Sequence, residues 1–153
     1  MKQRGVNRVT MAVWDLEKGK RFYENVLGAE FHPVNDAEAE AFGVRCAIAW
    51  NAGIELVSPI DGRDSHIRTF LEKRGEGLAG VVFAVDDVDA TRDAAVAANI
   101  PVVADLDYSQ AQIDEHLQGR FTKYKEYFFG AGAPLGGGVV VGEFVDATPD
   151  TDE

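Results

Sequence analysis

Arg8-Val-Thr-Met-Ala-Val-Trp-Asp15 and Gly80-Val-Val-Phe-Ala-Val-Asp-Asp87 are two versions of one segment. Val9/Val81, Ala12/Ala84, Val13/Val85 and Asp15/Asp87 coincide at a constant offset of 72 residues. Each copy is a short β-branched, apolar run with the composition of a strand. Each ends in an aspartate whose carboxylate can accept from the first backbone N–H groups of a following helix. The repeat therefore predicts a strand-helix unit used twice.

Working outward, Leu16, Gly19, Phe22, Tyr23, Val26 and Leu27 recur at helical spacing, and Gly28 supplies the left-handed stop. The second helix runs from Val88 to Ala98 and is closed by Asn99 and Pro101. Strand-like runs follow at 30–34, 43–50 and 53–58, with Asn51-Ala52-Gly53 as a turn between the last two. Their counterparts are Val102-Val103, 121–129 and 138–145, with a glycine-rich turn over 130–138. Both halves read βαβββ. Ser65 is placed to cap a helix over 66–74 that links the halves, and Ser109-Gln-Ala-Gln112 is a capping-box pattern that opens a helix ending at Gly119. The expected organisation is one α+β domain over residues 1–145. Module one spans about 6–60, the linking helix 65–75 and module two about 78–145, with an acidic tail over 146–153.

Bulk properties narrow the function classes. A net charge of −11 without a basic stripe argues against nucleic acid and anionic membrane surfaces as partners. Cys46, the only cysteine, sits in an apolar run, so no disulfide framework or thiolate metal site is expected. No apolar stretch approaches a membrane span and the first residues do not read as a signal peptide, which predicts a cytoplasmic protein.

A tandem βαβββ repeat with Ile54-Glu-Leu-Val57 closing module one resembles the vicinal oxygen chelate superfamily. That superfamily contains glyoxalases, extradiol dioxygenases, methylmalonyl-CoA epimerases and antibiotic-binding resistance proteins. The stretch Phe70-Leu-Glu-Lys-Arg-Gly-Glu-Gly-Leu78, followed by Val85-Asp-Asp-Val88, is most similar to the epimerase and glyoxalase-like branch. The resemblance implies two curved half-barrel sheets around a shared pocket. It also implies a divalent metal held by the first and last strands of each module, with histidines on the first strands and Glu or Gln on the last.

Carried over by position, those ligand places are Arg8, Glu55, Gly80 and Glu143, with Gly142 as the competing alignment for the fourth. Arginine stays protonated and offers only donors, and glycine has no side chain to offer. Two carboxylates with waters would suit magnesium or calcium, but the Arg8 cation opposes either ion, so no cofactor is expected. His66 and His116 fall on predicted helices and His32 on the second strand, with no HExxH pairing among them.

Two functions follow from the resemblance. The first is a metal-independent isomerase or lyase for a small carbonyl or acyl substrate, in which Glu55 or Glu143 takes a proton and Arg8 stabilises the enolate. The second is a non-catalytic binding cup of the bleomycin-resistance type. In either case Thr10, Trp50, Gly80, Tyr124, Tyr127 and Phe129 are the candidate pocket residues. Arg45, Arg63, Lys73 and Arg74 are candidates for meeting an acyl-CoA at the mouth. The expected partners are a small molecule and a second copy of the chain, as a homodimer.

Overall fold

The structure, a computed structural model, describes residues 1–34, 37–134 and 138–148. Part of the expected glycine-rich turn and the tail residues Asp150, Asp152 and Glu153 lie outside the described residues. The chain forms two compact units, Arg8–Ala79 and Met1–Asn7 with Gly80–Glu153. The fold class is α+β.

In the Arg8–Ala79 unit the order is β1 (Gly5–Ala12), α1 (Leu16–Leu27), β2 (His32–Val34), α2 (Ala37–Ala41), β3 (Val44–Ala49), β4 (Ile54–Pro59) and α3 (His66–Arg74). The strands run in the spatial order β2-β3-β4-β1, antiparallel except for the parallel β1–β4 pair. The Asp15 carboxylate caps α1 by accepting from Lys18 N at 3.0 Å, and Gly28 ends the helix at φ 64°. One face of the sheet packs Val9, Met11, Ile54 and Leu56 against Leu16 and Tyr23 of α1. On the other face Ala12, Val44 and Val57 pack with Ile67 and Leu71 of α3, beside the half-buried Cys46.

The second unit repeats this plan with β5 (Gly77–Ala84), α4 (Val88–Ala97), β6 (Val102–Asp107), α5 (Gln110–His116), β7 (Phe121–Phe129) and β8 (Val139–Asp146). Its strand order is β6-β7-β8-β5, with a parallel β5–β8 pair matching β1–β4. Asp87 caps α4 through Ala90 N at 2.9 Å, and both bonds of the Ser109/Gln112 capping box are formed. The two segments that opened the sequence analysis therefore hold equivalent places in their units.

Three features differ from expectation. The short helix α2 was not anticipated, because Ala-Glu-Ala-Glu-Ala is too brief to show a helical period. Strand β6 runs on to Asp107: Asp105 and Asp107 alternate with Ala104 and Leu106, and charged residues suit a strand that pairs on only one side within its unit. Helix α1 buries none of its residues; Phe22, Val26 and Leu27 stay exposed, because its apolar stripe is wider than its contact with the sheet. Among the described residues no helix is long and apolar enough to cross a membrane.

Candidate functional site

On the sheet face opposite α1, Arg8 Nε donates to Glu55 Oε2, and the Arg8 guanidinium carbon stands 5.6 Å from the centroid of the Trp50 ring. Alternation along β1 puts Arg8 and Thr10 on this face. Parallel pairing makes Thr10 the neighbour of Glu55, Ile48 is the neighbour of Glu55 on β3, and His32 is the neighbour of Ile48 on β2. Cross-strand neighbours share a face, so His32, Ile48, Glu55 and Thr10 form one row, with Arg8 beside it. The Arg8 side chain is 4% exposed and that of Glu55 14%. Burial at that depth makes the ion pair expensive to break on one side. The sequence left the orientation of His32 open, since only the register decides it.

Glu143 has a different setting. Its Oε1 meets Lys2 Nζ at 2.9 Å and Lys123 Nζ at 3.1 Å, and its Oε2 accepts from Val88 N, the first residue of α4, at 3.3 Å. It shares a strand face with Val141, which packs against Val88 and Ala95 of α4. Burial raises the Glu143 pKa, but hydrogen bonds from Lys2, Lys123 and Val88 N outweigh it and hold the carboxyl below its ordinary value of 4.5. A depressed folded pKa adds stability that is complete above the unfolded value and is lost as pH falls through the folded one. Glu143→Gln is therefore expected to flatten the acid limb of the stability profile below about pH 4.5, which urea unfolding across pH 2–7 measures. An unchanged acid limb would show that these contacts do not favour the ionised form.

The β7 aromatics divide between two faces. Tyr127 and Phe129 pack against α4 with Val88, Ala95 and Val141. The Tyr127 hydroxyl donates to Asp89 Oδ1 at 2.6 Å and accepts from Arg92 Nη1 at 2.8 Å. This bond, with that from Lys125, keeps the Asp89 carboxyl below its usual range. Tyr124 lies on the opposite face, stacked on Tyr108 at 5.3 Å and tilted against Phe144 at 4.8 Å. Of the candidate pocket aromatics, Trp50 lies beside Arg8 in its own unit and Tyr124 lies on the face opposite α4, while Tyr127 and Phe129 belong to the core under that helix.

The two glycines at the ligand places implied by the resemblance, Gly80 and Gly142, are crowded. A Cβ at Gly80 would stand 2.7 Å from Gly138 O, and one at Gly142 would stand 2.1 Å from Phe144 Cζ. The Phe144 ring, fully buried, folds back over Gly142 on its own face of β8. Directly across β7–β8 from Gly142 is Glu126, 1% exposed, whose Oε1 accepts from the Tyr124 hydroxyl at 2.8 Å. The sequence reading missed Glu126, because the unbroken run of polar and aromatic residues on β7 hides its alternation. Of the candidate cations for an acyl-CoA, Arg63 donates to the Glu40 and Ala41 carbonyls, and Arg74 lies over Phe70.

These residues do not fit a divalent ion. The first-strand place in the Arg8–Ala79 unit carries a guanidinium bonded to Glu55. In the other unit Gly80 and Gly142 offer no side-chain donor, and Glu143 is taken up by two lysines and a backbone N–H. Among the described residues no group of three or more His, Cys, Asp or Glu is gathered.

Comparison with known proteins agrees with this architecture. The human mitochondrial methylmalonyl-CoA epimerase is 36% identical over 86 residues, covering 56% of this chain and 48% of that protein. The chain spans about half the length of the curated relatives it matches. The crystal structure of methylmalonyl-CoA epimerase from Mycobacterium tuberculosis superposes with a TM-score of 0.64 at 25% identity, covering 94% of this chain and 89% of that one. A Streptomyces coelicolor methylmalonyl-CoA epimerase, solved in complex with 2-nitronate-propionyl-CoA, shares the fold with a TM-score of 0.69 at 21% identity, covering 95% of this chain and 99% of that one. Residues 7–116 match the family described as Glyoxalase/Bleomycin resistance protein/Dioxygenase superfamily, and with the doubled βαβββ plan this places the chain in that superfamily.

Proposed function

We propose that the chain is an epimerase-like isomerase acting on the coenzyme A thioester of a small branched acid, using fixed protein charge where the family pattern places a metal. The observation that carries this reading is the buried Arg8 guanidinium, fixed by Glu55 and faced by Trp50 at a first-strand ligand place. Removing the proton from a carbon next to a thioester sends negative charge to the carbonyl oxygen. A cation already in position lowers that barrier, because it needs no reorganisation as the charge develops. A guanidinium suits the task, since its planar fork matches two oxygens of an enolate or carboxylate. Glu55 orients Arg8 and is the carboxylate of this unit able to take a proton. Glu143, held ionised by its lysines, serves structure. The likeness to methylmalonyl-CoA epimerases supports the substrate class.

The test is hydrogen exchange. Methylmalonyl-CoA is incubated in D2O with protein stripped of metals by a chelator, and the C2–H signal is followed by NMR. Loss of that signal with turnover, unchanged by added divalent ions, is the expected result. Exchange that appears only after adding a divalent ion would overturn the metal-independent mechanism. Binding of the thioester without exchange would instead favour a sequestering cup, with Trp50 as a stacking wall.

A further inference from the structure

We propose that the Arg8–Ala79 unit carries a second small-molecule site, on the α1 side of its sheet, suited to a free α-amino acid with an apolar side chain. The proposal goes beyond the isomerase reading and does not depend on it. A cavity of about 320 Å³ opens where the first turn of α1 meets the end of β4, between Trp14, Arg45 and Ser58. That volume lies at the lower end of the range of small-molecule sites, about 300–1,000 Å³. Alternation groups Ser58 with Leu56, which packs on the α1 side, and sets both apart from Glu55 on the other face. Arg45 is the cross-strand partner of Ser58 and shares its face. The cavity and the Arg8–Glu55 pair are therefore on opposite faces of one sheet.

Ser58 separates this cavity from an ordinary surface dip. It is 3% exposed and lines the cavity, yet its hydroxyl has no hydrogen-bond partner among the described residues. A hydroxyl taken out of bulk water costs free energy unless it is bonded, and here the cavity is where a partner can stand. The charged groups give a second indication. Arg45 and Asp61 both line the cavity, and neither forms an ion pair among the described residues. The cavity thus offers a guanidinium and a carboxylate that are both open to a ligand.

A zwitterion answers all of these groups. The Arg45 fork matches the two oxygens of a carboxylate, the Ser58 hydroxyl donates to one of them, and the first turn of α1 adds its positive end. The ammonium on the adjacent carbon pairs with Asp61. An apolar side chain finds Trp14, Leu16 and Pro59 in the lining. The Trp14 ring is steadied by Arg68, whose guanidinium carbon stands 5.8 Å from the ring centroid and whose nitrogens donate to the Arg63 and Ile60 carbonyls. Simpler ions fit less well. A phosphate or other plain anion meets Asp15, Glu17 and Asp61 against one guanidinium, and a plain amine leaves Arg45 unanswered. A metal ion lacks a ligand set, because Asp15 is spent on Lys18 N and no three acidic, His or Cys side chains gather among the described residues.

The test is calorimetric titration of the full chain with L-leucine, beside isocaproate and isoamylamine, which are leucine without its ammonium and without its carboxylate. Leucine is expected to bind with a Kd of about 1 mM or tighter, and each truncated analogue at least about tenfold more weakly. Arg45→Leu is expected to weaken leucine binding by about tenfold or more, and Ser58→Ala by about threefold or more. Thermal unfolding checks that both variants are folded. The proposal is overturned if leucine does not bind, if either truncated analogue matches it, or if a folded variant at position 45 or 58 binds leucine as wild type does. Should Ser58→Ala not fold, Arg45→Leu decides, because Arg45 is exposed and its replacement leaves the core untouched. The isomerase reading stands or falls separately, on hydrogen exchange.

Discussion

Arg8→Ala is expected to lower the unfolding free energy by about 3–5 kcal/mol, because it leaves Glu55 charged in a site built for a pair. The Arg8 side chain is 4% exposed and that of Glu55 14%, so solvent is poorly placed to take over the lost contact. The facing Trp50 ring adds a smaller loss of about 0.5–2 kcal/mol, since it gives up a cation at 5.6 Å. Arg8→Lys does not restore the pair, because a point charge on a flexible stem lacks the planar fork. The double change Arg8→Met with Glu55→Leu is expected to return stability to within about 1 kcal/mol of wild type or above it, as paired removal of buried charge commonly does. Urea unfolding at neutral pH of the single and double variants checks all of this. A double variant as unstable as Arg8→Ala would show that packing, and not stranded charge, dominates the loss. The double variant should also fail to exchange substrate hydrogen while remaining folded, which separates the functional use of the pair from its structural weight.

Phe144→Ala carries an effect of similar size with a different origin, a loss of about 3–5 kcal/mol from an emptied volume in the core. The ring is fully buried and touches Phe121 and Tyr124 as well as the Gly142 backbone. Gly142→Ala alone is expected to cost about 1–3 kcal/mol by overpacking, since its Cβ would stand 2.1 Å from Phe144 Cζ. The Gly142 backbone is outside the left-handed region, so the cost comes from the ring and not from φ. Because each change relieves the other, the pair is expected to be less destabilised than the sum, with a coupling of about 1–3 kcal/mol. Strict additivity would mean that the ring moves aside freely. The result bears on the site, because that ring keeps any side chain at position 142 out of the row that Glu126 occupies.

Much of the fold was legible in the sequence wherever the deciding interactions are short in range. The carboxylates of Asp15 and Asp87 reach N–H groups three residues on. The Ser109/Gln112 box closes within one turn, and Gly28 ends α1 by its own backbone freedom. Such devices are read directly from residue type and spacing. The repeat around Arg8 and Gly80 was legible for the same reason, and with it came the Arg8–Glu55 pair. Those two residues sit on strands whose alternation and family likeness both point to one face.

What the sequence could not decide was which face the rest of the chemistry uses. Alternation along β8 groups Val141 with Glu143 and Gly142 with Phe144, but only packing against α4 tells which group lies under the helix. The crowding of position 142 depends on where the Phe144 ring comes to rest, a rotamer selected by Phe121 and Tyr124. Glu126 could be found only once the register of β7 on β8 set it across from Gly142. A register is a long-range choice: a slip of one residue would turn Glu126 to the other side of the sheet, and no local signal in 121–129 prevents it.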